Sequence, residues 1–317
     1  MHNCFISVVR LIQSSGELEQ LPEYLTKVHQ VLEENFSDFE IILVNNAITK
    51  PIEDFIQPLD SNIKRSIFLL NLSVRTNKNN AIIAGLDRSN GDYTVLFEEH
   101  FAHKPGLILD LYEKTREHFD IVYLKAKQRQ IRTKYRLFYS IFYTILRKYS
   151  TLRVDEKAHD TRIISRRALN SVLRLRENLR YMKAIYSLVG YKTSSIEVEE
   201  KLAERTGDSF SEQFKTSLVA ITSFTTFLRS LLFGIFIFSF VFLVGVIVNA
   251  LKVKFTDVDI FGNVGQADSG WTFLVILIAI FFAITCLNLY IMSIYLSNIY
   301  NEIKQRPLYI IESVQRF

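Results

Sequence analysis

The chain has 317 residues, a formal net charge of +5 and two cysteines. That length holds one large domain or two. Cys4 and Cys286 lie in separate apolar runs far apart, which excludes a disulfide-stapled scaffold and reads as two thiols in a reducing setting. Met1 to Leu11 is too short for a secretory signal and already contains Arg10.

In chain order, Cys4 to Ile12 (CFISVVRLI) reads as a strand, broken by Ser14, Ser15 and Gly16. Leu18, Leu21, Leu25, Val28, Val31 and Leu32 recur at helical spacing, with Pro22 admissible in the first turn. Phe39 to Val44 is a second strand ending in Asn45-Asn46-Ala47, and Pro51 to Ile56 opens a short connection or helix. Ser66 to Leu72 is a third strand. Ala81, Ile82 and Leu86 mark a helix, Asn90-Gly91-Asp92 a turn, and Tyr93 to Phe97 a short buried parallel strand. Pro105 to His118 reads as a helix and Asp120 to Leu124 as a fifth strand. Strands alternating with helices predict an α/β fold: a mostly parallel sheet with flanking helices. The lack of a G-x-G-x-x-G loop disfavours a classical dinucleotide fold.

Lys125 to Arg153 is rich in Lys and Arg, has no acid, and encloses the aromatic run Leu137 to Leu146. Basic flanks around an aromatic middle suit a helix at about 129–150 lying in a membrane interface, and a core helix with solvated ends is the alternative. Asp160-Thr161-Arg162-Ile163-Ile164-Ser165-Arg166-Arg167 could place a base beside phosphate-binding arginines, or simply make surface salt bridges. Glu177 to Tyr191 reads as a helix closed by Gly190, and Phe214 to Leu228 as a weakly amphipathic approach to a long apolar run.

After about Gly207 the composition changes. Leu231 to Leu251 and Trp271 to Leu296 contain no charged residue. Each exceeds the roughly 20 residues that cross a hydrocarbon core. Two transmembrane helices are therefore expected. Lys215 and Arg229 before them, and Lys304, Arg306 and Arg316 after, favour head and tail on the cytoplasmic side of the inner membrane. Two spans so close to the basic run make nucleic acid an improbable partner. The expected organisation is a head over 1–207, a juxtamembrane segment over 208–228, a two-helix hairpin over 229–299 and a tail over 300–317.

Chemistry concentrates just past Tyr93 to Phe97, where Glu98, Glu99, His100 and His103 crowd together before Pro105. Ligands of open α/β sheets bind beyond the carboxyl ends of strands. A group of metal-capable side chains there is a candidate site, with a solvated loop as its alternative.

Several motifs resemble family 2 glycosyltransferases of the polyprenyl-phosphate type, the group of dolichol-phosphate mannose synthases and bacterial undecaprenyl-phosphate glucosyltransferases. They are Lys78 with Ala81 to Leu86, Gly91-Asp92, Asp160-x-Arg162-x-x-Ser165-Arg166, Glu177-x-x-Arg180-Tyr181, Gly190-Tyr191 and the tail Arg306-Pro307-Leu308-Tyr309. The resemblance covers nearly the whole chain. It implies a GT-A-like head on the cytoplasmic face, a nucleotide-sugar donor, a Mg2+ or Mn2+ ion, a polyprenyl-phosphate acceptor and self-association. It further implies donor binding by Asn45, Asn46, Lys78 and Glu98, and an ion at Glu98 and His100. Asp160 then falls near the reacting groups, and Arg129, Arg132, Arg162 and Arg166 on the acceptor phosphate. The chain departs from the pattern where Asn45 and Asn46 replace a pair of Asp, Glu98-Glu99-His100 replaces Asp-x-Asp, and Gly207 to Ser211 lacks a phosphate-binding Lys. An oxygen-to-nitrogen change at His100 turns preference from Mg2+ toward Mn2+ or a softer ion. Two functions stand side by side: a membrane glycosyltransferase of the cell envelope with an altered donor site, or a non-catalytic relative serving as a scaffold in polysaccharide assembly.

Overall fold

The computed structural model describes residues 1–128, 133–150, 154–175, 182–202, 214, 217–218, 220–222, 224–256, 258–262, 264, 270–304 and 306–317. Its head is an eight-stranded mixed sheet with helices on both faces. Five strands match the expected ones: β1 (His2–Ile12), β2 (Phe36–Asn45), β3 (Ile67–Leu72), β4 (Tyr93–Leu96) and β5 (Ile121–Ala126). Three more complete it, β6 (Ala158–Ser165), β7 (Thr193–Val198) and β8 (Ile311–Arg316), in the order β7-β5-β6-β4-β1-β2-β3-β8. The pairs β1–β2, β1–β4, β2–β3 and β5–β7 are parallel, whereas β6 runs antiparallel to both β4 and β5.

The helices in the head are α1 (Leu21–Asn35), α2 (Glu53–Ile56), α3 (Ser61–Arg65), α4 (Lys78–Arg88), α5 (Leu107–Thr115), α6 (Thr133–Tyr149), α7 (Arg166–Arg174) and α8 (Met182–Leu188). Central strands are apolar on both faces, as a covered parallel sheet requires. Ile6, Val8, Ile41 and Leu43 pack beneath α1 and α5 residues such as Leu25 and Ile108. Val9, Ile42, Val44 and Leu70 pack against Ile82 of α4 and Leu169 of α7. At Gly85 of α4 a Cβ would lie 2.4 Å from Val9 Cγ1 and 2.8 Å from Val44 Cγ2. Gly85→Ala is therefore expected to cost about 1–3 kcal/mol by overpacking, read as a lower urea midpoint at unchanged slope.

Past the head, one helix runs Phe227–Thr256 and a second Gly270–Ile303. They hold apolar stretches of 27 and 21 residues whose most apolar 18-residue windows are almost wholly unburied. Both are long and apolar enough to cross a membrane. α6 abuts the first: Thr226 N donates to Tyr149 O at 3.1 Å, and the Tyr149 and Phe227 rings lie 5.1 Å apart. One face of α6 buries Phe142, Tyr143 and Leu146 against Ala220, while Leu137 and Ile141 point outward.

The tail does not trail away. β8 pairs antiparallel with β3, Asn71 Nδ2 donates to Ser313 Oγ at 3.0 Å, and Ser73 N donates to Ile310 O at 3.0 Å. The expected closure at Gly190 is present, with φ +72°. The expected features at Arg129, Arg132, Glu177, Arg180, Tyr181, Gly207 to Ser211 and Lys215 lie outside the described residues.

Candidate active site at the carboxyl end of the sheet

β4 ends at Leu96 and the chain turns at Glu98 into a short 3-10 turn, Glu99–Phe101. Its antiparallel neighbour β6 brings His159 and Asp160 alongside, and α4 begins with Lys78. A cation in the first turn of a helix faces the positive end of the helix dipole. Lys78 is held there by two carboxylates: its Nζ is 2.6 Å from Asp160 Oδ2 and 3.2 Å from Glu98 Oε1. Asn77 caps the same helix, its side chain accepting from Asn80 N at 2.8 Å.

Glu98 is also the hinge pin between β4 and β6. Its Oε2 accepts from Asp160 N at 3.0 Å, Thr161 N at 3.1 Å and Thr161 Oγ1 at 3.3 Å. Burial pushes its carboxyl up, Lys78 pulls it down against the opposing push of Asp160, and with the nearby imidazoles the balance falls below the usual glutamate value. His159 is buried and His100 is exposed but has a partly desolvated ring; desolvation holds both below the ordinary imidazole value, although Glu98 pulls the other way. His100 Nε2 lies 3.3 Å from His159 Nδ1, and ligand atoms of Glu98, His100 and His159 all fall within 4.8 Å of one another.

The structure therefore brings together Lys78, Glu98, His100 and Asp160 of the sequence-predicted set. It adds His159, which the sequence reading passed over although it directly precedes Asp160. Glu99 and His103 point elsewhere. Glu99 Oε1 lies 3.3 Å from Arg10 Nη2, and His103 Nε2 lies 3.2 Å from Glu200 Oε1. Arg10 is another residue the sequence reading did not single out; it is fully enclosed at the end of β1 with its guanidinium 4.1 Å from the Tyr24 ring centroid.

Two arginines expected on an acceptor phosphate are committed to the protein itself. Arg162 is buried on β6, donating from Nε to Asp160 O at 3.0 Å and from Nη2 to His159 O at 2.8 Å, with its guanidinium 3.9 Å from the Tyr186 ring centroid. It braces the site's backbone and has no open face for a ligand. Arg166 sits past the far end of β6, beside the start of β4. It donates to Ser89 O at 3.0 Å and from Nε to Gly91 O at 2.9 Å, with Nη2 also on Gly91 O. An antiparallel strand of this length separates the two arginine-bearing ends, so Arg166 cannot join the Glu98 cluster. Arg129 and Arg132 lie outside the described residues.

Asn45 and Asn46 hold loops at the ends of β2 and β3. Asn45 donates to Asn71 Oδ1 at 2.9 Å and accepts from Ile48 N at 2.8 Å. Asn46 is 1% exposed, donating to Thr76 O at 2.8 Å and accepting from Thr76 N at 2.9 Å. It thus anchors the loop leading to Lys78, with one amide N–H and the amide oxygen both engaged by Thr76. An aspartate at 46 would set a carboxylate oxygen against the Thr76 carbonyl. Asn46→Asp is expected to cost about 1–3 kcal/mol and to leave nucleotide affinity no better, measured by thermal unfolding and calorimetric titration.

Residues 17–173 match the family model described as Glycosyl transferase family 2. An uncharacterized glycosyltransferase of Synechocystis sp. is 26% identical over 313 residues, covering 96% of this chain and 94% of its own. The SfII prophage-derived bactoprenol glucosyl transferase of Shigella flexneri is 28% identical over 307 residues, covering 95% of this chain and 96% of its own. Among solved structures, mannosyl-3-phosphoglycerate synthase from Rubrobacter xylanophilus aligns with a TM-score of 0.45 at 10% identity, over 69% of this chain and 72% of that one.

Proposed function

We propose, from the match of residues 17–173 to the Glycosyl transferase family 2 model, that the chain is a membrane-anchored enzyme moving a sugar from a nucleotide-sugar donor to a polyprenyl-phosphate acceptor. The observation that carries this is the Lys78–Glu98–Asp160 cluster at the carboxyl end of β4. Relatives described as bactoprenol glucosyl transferases, alike over 95% of this chain, support the acceptor class. The two exposed apolar helices supply the anchor, and α6 supplies an interfacial face with Leu137 and Ile141 outward.

In this reading the reaction inverts the anomeric centre. An acceptor phosphate oxygen attacks the anomeric carbon as the bond to the donor diphosphate breaks. The acceptor is anionic near neutral pH, so positioning and charge do most of the work. Asp160 orients the acceptor beside the anomeric carbon. Lys78 couples Asp160 to Glu98 and places positive charge next to the departing diphosphate. Arg162 fixes the His159 and Asp160 carbonyls, which keeps the Asp160 carboxylate aimed. Arg129 and Arg132, on the chain leading into α6, are the remaining candidates for the acceptor phosphate, and the head faces the cytoplasm. The Glu98, His100 and His159 donor set fits a divalent cation, which when bound would neutralise charge on the diphosphate.

A second reading is favoured by one observation: the amides of Asn45 and Asn46 are spent on neighbouring loops. A chain that lost donor binding would serve as a scaffold in envelope polysaccharide assembly. Incubating the purified full chain with a panel of labelled nucleotide sugars and undecaprenyl phosphate separates the two. The enzyme reading expects labelled lipid that disappears in Glu98→Ala. No transfer and no calorimetric binding across the panel would leave the scaffold.

A further inference from the structure

The Glu98, His100 and His159 arrangement is specific enough to name a class of ion. Two nitrogens bound to one ion at about 2.0–2.1 Å with a tetrahedral angle lie roughly 3.3–3.4 Å apart. His100 Nε2 and His159 Nδ1 are separated by 3.3 Å. A ligating histidine characteristically gives its other ring N–H to a carbonyl or carboxylate, which fixes the tautomer. His159 Nε2 lies 3.3 Å from Glu200 O, a backbone carbonyl that can only accept. The proton of His159 therefore belongs on Nε2, and the lone pair of Nδ1 points at His100.

Glu98 is oriented just as firmly. Its Oε2 is occupied by Asp160 N, Thr161 N and Thr161 Oγ1 and its Oε1 meets Lys78, and a carboxylate oxygen lies within 4.8 Å of a ring nitrogen of each histidine. Lys78 already spans to Asp160 at 2.6 Å, so it can give up Glu98 Oε1 without becoming an unpaired charge. The His100 ring lies against Phe101, with centroids 4.0 Å apart. A His100–His159 hydrogen bond accounts for the ring separation in the absence of an ion, and what favours a site is that the protein's own bonds hold all three ligand groups within 4.8 Å of one another.

We propose that Glu98, His100 and His159 form a three-ligand site for a borderline divalent transition ion, with Zn2+ and Co2+ bound ahead of Mn2+ and Mg2+ rejected. The purpose of the ion rests on the glycosyltransferase reading; its binding does not. Two imidazoles and one carboxylate suit borderline ions, and affinity for such a set rises from Mn2+ through Co2+. Mg2+ demands six oxygens in near-octahedral array and does not release its waters for nitrogen.

The test uses the full chain in detergent, stripped with a chelator and titrated with CoCl2. The expected result is an intense visible ligand-field spectrum saturating at one Co2+ per chain, abolished by an equivalent of Zn2+ and indifferent to an excess of Mg2+ of about a hundredfold. His100→Ala and His159→Gln each weaken Co2+ binding at least about tenfold, while His2→Ala, which alters a ring paired with Glu113 elsewhere on the surface, leaves it unchanged. His100 is exposed, so its variant reports on the site even if His159→Gln fails to fold. Displacement by Mg2+, absence of the spectrum, or unaltered binding in His100→Ala overturns the site. The enzyme reading fails separately: a normal Co2+ spectrum with no sugar transfer sinks the enzyme and keeps the site, whereas chelator-resistant transfer without the spectrum does the reverse.

Discussion

Asp160→Asn is expected to lower sugar transfer to undecaprenyl phosphate by about two to four orders of magnitude, the range for removal of a positioned acid–base or orienting group. The thermal midpoint stays close to that of the parent. The substitution keeps the side-chain shape, and an amide oxygen can still accept from the Lys78 ammonium now 2.6 Å away. The backbone of residue 160 remains tied through its N–H to Glu98 Oε2 and through its carbonyl to Arg162. What is lost is one negative charge at the sheet end. A scaffold would not register that loss, so measured transfer that survives Asp160→Asn at more than a tenth of the parent rate excludes this carboxylate from the reaction.

Arg166→Leu has the opposite signature. Its guanidinium serves the carbonyls of Ser89 and Gly91, and its backbone N–H donates to Asp92 O at 2.8 Å. Gly91 has no room to readjust, because a Cβ there would lie 2.6 Å from Ser7 N and 2.8 Å from Phe5 O. Removing the side chain strands partly buried acceptors, at a cost of about 2–3 kcal/mol. For a head of this size that lowers the thermal midpoint by roughly 5–10 °C. The KM for polyprenyl phosphate in the surviving folded protein is expected to stay the same, because Arg166 lies at the opposite end of β4 from Glu98. A raised KM at unchanged stability would restore the phosphate-binding role that the sequence motif suggests.

Much of the head was legible because its central strands are buried on both faces. Ile6 to Val9, Ile41 to Val44 and Val95 to Phe97 leave few polar atoms to confuse the reading. β6 was missed for a physical reason: it carries Asp160 and Arg162 into the interior, where each is compensated, and charges in sequence read as surface or site. β7 is a polar edge strand, and β8 finds its partner on β3 across most of the chain. The same logic governs the site. The crowding at Glu98 and His100 is local and visible. The contribution of His159 depends on β6 lying antiparallel to β4, which no local spacing encodes. Asn45 and Asn46 read as nucleotide ligands because they replace the Asp pair of the resembled family; that they also tie down loops through Asn71, Ile48 and Thr76 depends on strands brought together by the fold, which no local spacing encodes.

The strand formed by Ile311–Arg316 carries a topological constraint. The chain leaves the head near Thr226, traverses both long helices and returns to hydrogen-bond with β3. Any bilayer met on that excursion is crossed an even number of times: both helices pass through, or neither does. Labels at the two termini are expected to report the same compartment, and if both helices cross, a label at Phe261, exposed in the connector, reports the other. If both cross, deleting one while keeping the last strand would place that strand across the bilayer from the sheet it completes, so the two helices would be gained or lost only as a pair.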